Sequence, residues 1–250
     1  MSEIELTFEG PVARVTLNRP HVLNAGDRGF VARLSEVVAA IAARPETRVA
    51  VLTGAGRAFS TGVDLTVLAH GDFALADFVA WEDAMVAMER MDVLWIAAIN
   101  GHCVGGGLQL TLVCDHRLVV EDALLGLPAV KECLIPSMSL YRLPRLIGLG
   151  RAQELILTGV PITGRDAERI GLVHRAVPAA DFAKALDEAL ERYLALPRTS
   201  ALASRQLLAQ VFELGFDDFR AKMQERLAAC IASPEHARAM AGIRAQKPRR

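Results

Sequence analysis

Asn100-Gly-His-Cys-Val-Gly-Gly-Gly-Leu-Gln-Leu-Thr-Leu-Val-Cys-Asp115 is the stretch that decides the fold. It follows an apolar run from Trp95 to Ile99 and reads as a buried strand, a glycine turn and an apolar helix. Successive glycines let backbone come close to a ligand, and they open a helix whose first N–H groups have no partner within it. Such donors suit a developing negative charge. Gln109 stands one turn into that helix, where a base would be useful. A carboxamide gives and accepts hydrogen bonds but takes no proton.

Outward from this stretch, the pattern predicts an α/β core. Residues 3–9 and 11–17 alternate apolar and polar around Gly10-Pro11, as a hairpin does. Asp27 to Ala43 carries Phe30, Leu34, Val37, Val38 and Ile41 on one helical face. Val49 to Leu52 reads as a short buried strand and Asp72 to Met91 as a second helix. The glycine helix runs to about Val113, and a strand follows from His116 to Val120. Such alternation implies parallel strands with crossover helices. After Ala123 the chain reads as mostly helical, punctuated by prolines. Thr163 can cap a short helix near Arg165, Leu172 to Val177 reads as a last strand, and Asp181 to Leu196 as an amphipathic helix. Ser233-Pro234 is a helix start. The pattern places a core over residues 1–196 and a helical region over 197–250. The helical region has apolar faces at Leu207, Leu208, Val211 and Phe212, and at Met223, Leu227 and Ile231. These faces pack on their own core or dock on a neighbouring subunit. The basic tail Lys247 to Arg250 is expected to fray.

Bulk properties narrow the function. With 250 residues and a formal net charge of -1, nothing suggests a nucleic-acid surface. No apolar run approaches the ~20 residues that span a bilayer. The start, Met-Ser-Glu-Ile-Glu-Leu, is wrong for a signal peptide. Cys103, Cys114, Cys133 and Cys230 show neither metal spacing nor a disulfide framework, as expected of cytoplasmic thiols in apolar surroundings.

Two glycine-bearing loops each follow a strand: Gly54-Ala-Gly-Arg-Ala-Phe-Ser-Thr-Gly-Val-Asp-Leu65 and Asn100 to Leu108. Loops at the carboxyl ends of parallel strands are where α/β sites form. Two N–H groups brought together there would make an oxyanion hole for a carbonyl that becomes enolate-like or tetrahedral. From Val15 to Pro178 the chain resembles the crotonase, or enoyl-CoA hydratase/isomerase, superfamily. The resemblance is carried by Leu17-Asn-Arg-Pro-His-Val-Leu-Asn-Ala25, Val51-Leu-Thr-Gly, Arg57-Ala-Phe-Ser-Thr-Gly-Val-Asp64 and Ala98-Ile-Asn-Gly-His-Cys-Val-Gly-Gly-Gly-Leu-Gln-Leu. It continues through Cys114-Asp115, Leu155-Ile-Leu-Thr-Gly and Ala167-Glu-Arg-Ile-Gly-Leu-Val173.

The resemblance implies a spiral of ββα turns, with C-terminal helices that hold a homotrimer or a dimer of trimers. It implies an acyl-CoA thioester as substrate, with coenzyme A as part of that substrate and no further cofactor. The backbone N–H groups of Val63 and Gly106 are the implied oxyanion donors. Leu23, Ala25, Arg57, Ala58, Ser60, Val63, Asp64, Leu65, Gly105 and Gly106 are the implied grip on coenzyme A, much of it through backbone. Arg57 is a candidate phosphate partner, and Asp64 reads more readily as a helix cap than as a catalyst.

Hydratases of the family use two glutamates. Here their positions hold Gln109 and, after Gly126-Leu-Pro128, Ala129. A positioned acid or base contributes typically ~10²–10⁴-fold, so water addition to a trans-2-enoyl-CoA is expected to be weak. Glu132 is the candidate substitute if a helix begins at Pro128; otherwise it is a solvated charge beside Lys131. The loop bearing Ser137, Ser139 and Tyr141 is one residue shorter than in typical hydratases and lacks their glycines, so the acyl pocket is reshaped. His102 reads as packed and hydrogen-bonded, and Glu82 and Asp83 as solvated; His70 has a lesser claim on the acyl pocket. Trp81, Met85, Met88 and Leu140 line an acyl-tail pocket or simply pack the core.

An enzyme with an atypical acid or base is therefore the leading expectation. The resemblance implies a lyase or isomerase, and decarboxylation or another carbon–carbon cleavage needs the hole more than a base. Hydrolysis or slow isomerisation would need Glu132 or a serine-bound water. A non-catalytic thioester binder or structural homologue is the alternative. The glycine triplet lacks the spaced fingerprint of a dinucleotide site.

Overall fold

A computed structural model describes residues 2–246, and the tail Lys247 to Arg250 lies outside the described residues. Two compact units divide the chain, Met1–Leu190 and Glu191–Arg250.

The first unit opens with β1 (Ile4–Glu9), β2 (Val12–Leu17), α1 (Arg28–Ala42), β3 (Val49–Gly54) and β4 (Ala58–Ser60). It continues with α2 (Leu65–Ala69), α3 (Leu75–Arg90), β5 (Leu94–Ile99), β6 (His102–Val104), α4 (Gly106–Leu112), β7 (His116–Val120) and β8 (Leu124–Gly126). Then come α5 (Ser139–Ile147), α6 (Leu149–Thr158), β9 (Ile162–Thr163), α7 (Gly164–Arg169), β10 (Arg175–Val177) and α8 (Phe182–Leu194). The cut between units falls inside α8, just after its buried residues Ala185, Ala189 and Leu190.

Two sheets form side by side. The larger has the order β1-β2-β3-β5-β7-β10, with β1 antiparallel to β2 and the rest parallel. The smaller has the order β4-β6-β8-β9. Each turn of the chain gives one strand to each sheet: β3 then β4, β5 then β6, β7 then β8. This is the expected ββα spiral. All of β5 is buried, as a central parallel strand covered on both faces must be. After Ala123 the chain is mostly helical, as expected, and the short strands β8 and β9, which pair there, were not anticipated. Strands of two or three residues carry no readable period.

Local chemistry sets the helix ends. Asp27 Oδ1 accepts the Phe30 N–H at 3.0 Å and starts α1, whose predicted face is buried. The expected helix from Asp72 begins only at Leu75, because Asp77 Oδ2 takes the Ala74 N–H at 2.7 Å. Thr163 caps α7 through the Asp166 N–H. Cys103 and Cys114 are buried, but Cys133 is exposed, contrary to the apolar setting expected for all four thiols.

The second unit holds α9 (Arg198–Leu208), α10 (Phe216–Ile231) and α11 (Pro234–Gln246). Ser233 Oγ accepts the His236 N–H, and Glu235 receives the N–H groups of Arg198 and Thr199. Among the described residues these helices bury no side chain, so the apolar faces do not close on a core of their own. Leu208, Phe212, Phe216, Leu227 and Ile231 are exposed. Among the described residues no helix is long and apolar enough to cross a membrane.

Candidate functional site

Asn24 organises the first loop. It is fully buried at φ +57°, and its amide donates to the carbonyls of Ala55, Ala58 and Phe59. Its Oδ1 accepts the Arg19 N–H at 2.8 Å. Ser60 Oγ donates to the Asn24 carbonyl and accepts the Gly62 N–H. Ala58 and Ser60 are thus buried inside the loop and shape it; their side chains do not reach its surface. Arg19 fixes the other flank, donating to the Ala25 carbonyl at 2.6 Å and pairing with Asp27 at 2.7 Å. Neither Asn24 nor Arg19 stood out as a site residue in the sequence, although both lie in the Leu17–Ala25 run that carries the resemblance.

The second loop docks on the first through its glycines, each for its own reason. Gly105 turns the chain at φ +57° and donates to the Gly126 carbonyl at 2.9 Å. A β-carbon on Gly106 would meet the Trp81 ring at 3.0 Å and the Gly62 Cα at 3.2 Å. One on Gly107 would lie 2.2 Å from the Ser60 carbonyl oxygen.

The two loops therefore abut at Gly62-Val63 and Gly105-Gly106. In the bridge between Gly26 and Val63, Gly26 donates to the Gly62 carbonyl and Asp64 donates to the Gly26 carbonyl. That pattern leaves the Val63 N–H unused. Gly106 opens α4, so its N–H has no place in the helical ladder. Among the described residues, neither amide donates a hydrogen bond.

Around this junction the other expected residues take distinct places. Asp64 caps α2 through the Thr66 and Val67 N–H groups. Arg57 and Leu65 are exposed at the loop surface; Leu23 is half-buried at φ +56° and Ala25 buried. Gln109 is half-buried. Ala129 is half-buried on a 3-10 turn over Pro128–Glu132, where residues three apart eclipse. Glu132 therefore shares the Ala129 face, and it is exposed.

Two expectations are corrected. His102 is exposed rather than packed, although its Nδ1 accepts the Leu124 N–H. Glu82 is not a solvated charge: its Oε1 lies 2.7 Å from Nη2 of the buried Arg142, which also holds Glu89 at 3.0 Å. Glu82 faces α5, and its partner is too far along the chain for helical periodicity to show. Burial works against the Arg142 charge, yet the two carboxylates hold its pKa above the ordinary value. His70 is exposed, with Nδ1 2.7 Å from the Thr66 carbonyl. Trp81, Met85 and Met88 are buried in the core, and Trp81 stacks on Phe30 with ring centroids 5.2 Å apart.

Known proteins resemble this chain in sequence and fold. The family model for enoyl-CoA hydratase/isomerase matches residues 7–233. The chain is 36% identical over 199 residues to YngF of Bacillus subtilis strain 168, named for the same family, covering 78% of this chain and 75% of that one. It is 34% identical over 217 residues to (E)-benzylidenesuccinyl-CoA hydratase of Thauera aromatica, covering 81% and 80%. Among solved structures, an enoyl-CoA hydratase from Bacillus anthracis superposes with a TM-score of 0.91 at 27% identity, over 98% of this chain and 97% of that one. A Thermobifida fusca YX protein named as an enoyl-CoA hydratase, solved in complex with CoA, gives 0.83 at 30% identity, over 92% and 93%.

Proposed function

The chain belongs to the enoyl-CoA hydratase/isomerase family, and on that premise we propose that it is an enzyme polarising an acyl-CoA thioester between the Val63 and Gly106 amides. The observation that carries this reading is the pair of unused N–H groups on two abutting loops. A thioester oxygen accepting from both would gain negative charge as the carbonyl becomes enolate-like. Fixed main-chain donors stabilise that charge without having to reorganise. Exposed Arg57, with the backbone of Leu23, Ala25, Asp64, Leu65 and Gly105 and the buried support of Ala58 and Ser60, would hold coenzyme A. The CoA complex of the Thermobifida fusca relative supports that part. No cofactor beyond the substrate's own CoA enters the scheme, and a cytoplasmic location belongs to the same reading.

Gln109 and Ala129 offer no carboxylate, so ordinary hydration is weak and the reaction is one that asks little of a base, such as decarboxylation or another carbon–carbon cleavage. Glu132 stands on the right face to substitute, at an exposed position. The second reading, a non-catalytic thioester binder, is favoured by the same two residues.

Titration with acetoacetyl-CoA tests the first step. Saturable binding at one site per chain is expected, and its absence would overturn both readings. Turnover of a panel of acyl-CoA thioesters then separates enzyme from binder. The uncovered helices α9 to α11 support a homotrimer or a dimer of trimers built through residues 197–250. Sedimentation as a monomer would exclude that assembly.

A further inference from the structure

Trp81 is buried, and its ring fills the space that two glycines leave open. A β-carbon on Gly26 would meet ring carbons Cζ3 at 2.5 Å and Cη2 at 2.8 Å. One on Gly106 would meet Cζ2 at 3.0 Å and Cε2 at 3.4 Å. These carbons follow one another around the six-membered ring. One rigid edge therefore touches both sides of the junction, and it does so only because both positions lack a side chain.

Each contact lies next to a peptide group that carries one of the two unused amides. Gly26 donates to the Gly62 carbonyl at 2.7 Å and accepts the Asp64 N–H at 2.9 Å. The Gly62 carbonyl and the Val63 N–H belong to one planar peptide group. A shift of Gly26 therefore turns the Val63 N–H with it. At the other end the ring lies against Gly106 itself, whose N–H is the second donor. An aromatic ring has no internal torsion, and a close-packed interior transmits displacement. The ring is held in its turn. It stacks on Phe30, and its Nε1 has no partner among the described residues, so packing and not a hydrogen bond within the chain orients it. Helix α3 is tied on both sides of Trp81: Asp77 pairs with Arg28 of α1 at 3.0 Å, and Glu82 with the buried Arg142 of α5 at 2.7 Å.

We infer that Trp81 is a positioning residue, whose ring edge sets the spacing of the Val63 and Gly106 amides for a single thioester oxygen; the inference rests on the thioester reading above. Two fixed donors polarise one oxygen only when both aim at it, so the spacer between them bears on the chemistry without touching the substrate. A phenyl ring is shorter than an indole and loses the far part of the edge. An aliphatic side chain loses the flat, rigid contact altogether.

Infrared difference spectra of the full chain with butyryl-CoA, isotope-labelled at its thioester carbonyl, test the spacer. Hydrogen bonds to a carbonyl oxygen lower its stretching frequency, so the native complex is expected to show a band below that of the free thioester. In Trp81→Leu most of that downshift is expected to vanish, and in Trp81→Phe part of it, while the affinity for free CoA, which has no acyl carbonyl, stays at the native value. With any thioester that the native protein converts, kcat is expected to fall about 10²-fold, the worth of a misplaced catalytic geometry, with KM little changed. Gly26→Ala, which drives a β-carbon into the same ring edge, is expected to cause the same loss of downshift and serves with Trp81→Phe if Trp81→Leu does not fold. Variants that melt earlier but keep the native carbonyl band overturn the positioning role and leave Trp81 a core residue. A native complex without any downshift, or no binding of butyryl-CoA at all, overturns the proposed function itself.

Discussion

Gly62 and Gly106 meet backbone to backbone: a β-carbon on Gly62 would stand 2.4 Å from the Gly106 amide nitrogen. Gly62 also holds φ +86°, which L side chains rarely adopt. Gly62→Ala is therefore expected to spread the two amides and to cost about 10²–10³ in turnover, the worth of one oxyanion donor. Gly71→Ala is the control. It has a similar φ of +79° but nothing within 4 Å of its added carbon. It should lower stability by about 1 kcal/mol and leave turnover unchanged. Native-like turnover by the Gly62 variant would refute the arrangement.

Restoring the missing carboxylates should restore the missing chemistry. Gln109→Glu combined with Ala129→Glu is expected to raise hydration of crotonyl-CoA by about 10²–10⁴ over the native chain, read as loss of enoyl absorbance. Native turnover already within the ordinary enzyme range of ~1–10³ per second would contradict the expectation. Glu132→Gln would then show whether the carboxylate on the Ala129 face supplies it.

Asn24 is expected to dominate the stability of the first loop. Asn24→Ala removes three donations and one acceptance from a fully buried site and strands the carbonyls of Ala55, Ala58 and Phe59. The loss should be about 2–4 kcal/mol, at about 2–4 °C of melting temperature for each kcal/mol. A melting curve that superimposes on the native one would remove Asn24 from this role.

The fold's skeleton could be read from periodicity because its long elements bury one continuous face. The helix bearing Phe30, Leu34, Val37, Val38 and Ile41 and the all-apolar strand before Asn100 are of this kind. The second sheet could not, since Ala58–Ser60 and Ile162–Thr163 are too short to show alternation. The glycine turn was visible because glycine has few other reasons to occur three times running. Glu82 was misread because a charge on a helix faces water unless a partner covers it, and Arg142 arrives from a distant helix. Trp81 was legible as apolar bulk, but the direction of its N–H depends on what the other loops place around it.

His174 sets an acid limit on stability. Its Nδ1 accepts the Arg117 N–H at 3.1 Å, and burial together with the Arg117 charge lowers its pKa from 6.5 to about 4. The unfolded chain takes up a proton near pH 6.5 that the folded protein refuses until about pH 4. This contribution is whole above pH 6.5 and drains away as pH falls through that window. His174 is exposed, so solvent screens the effect and the loss is about 1 kcal/mol, well below what the full shift would give. Denaturation midpoints across the window should flatten in His174→Gln; an unchanged slope would assign the acid sensitivity elsewhere.

The amides of residues 63 and 106 are written into the chain by peptide linkage and not by any codon. A point mutation can shift them, as at Gly62, but almost none can delete them. On the proposed function, the residues over the acyl carbons can therefore be exchanged without removing the groups that would activate the thioester, and Gln109 and Ala129 are exchanges of that kind.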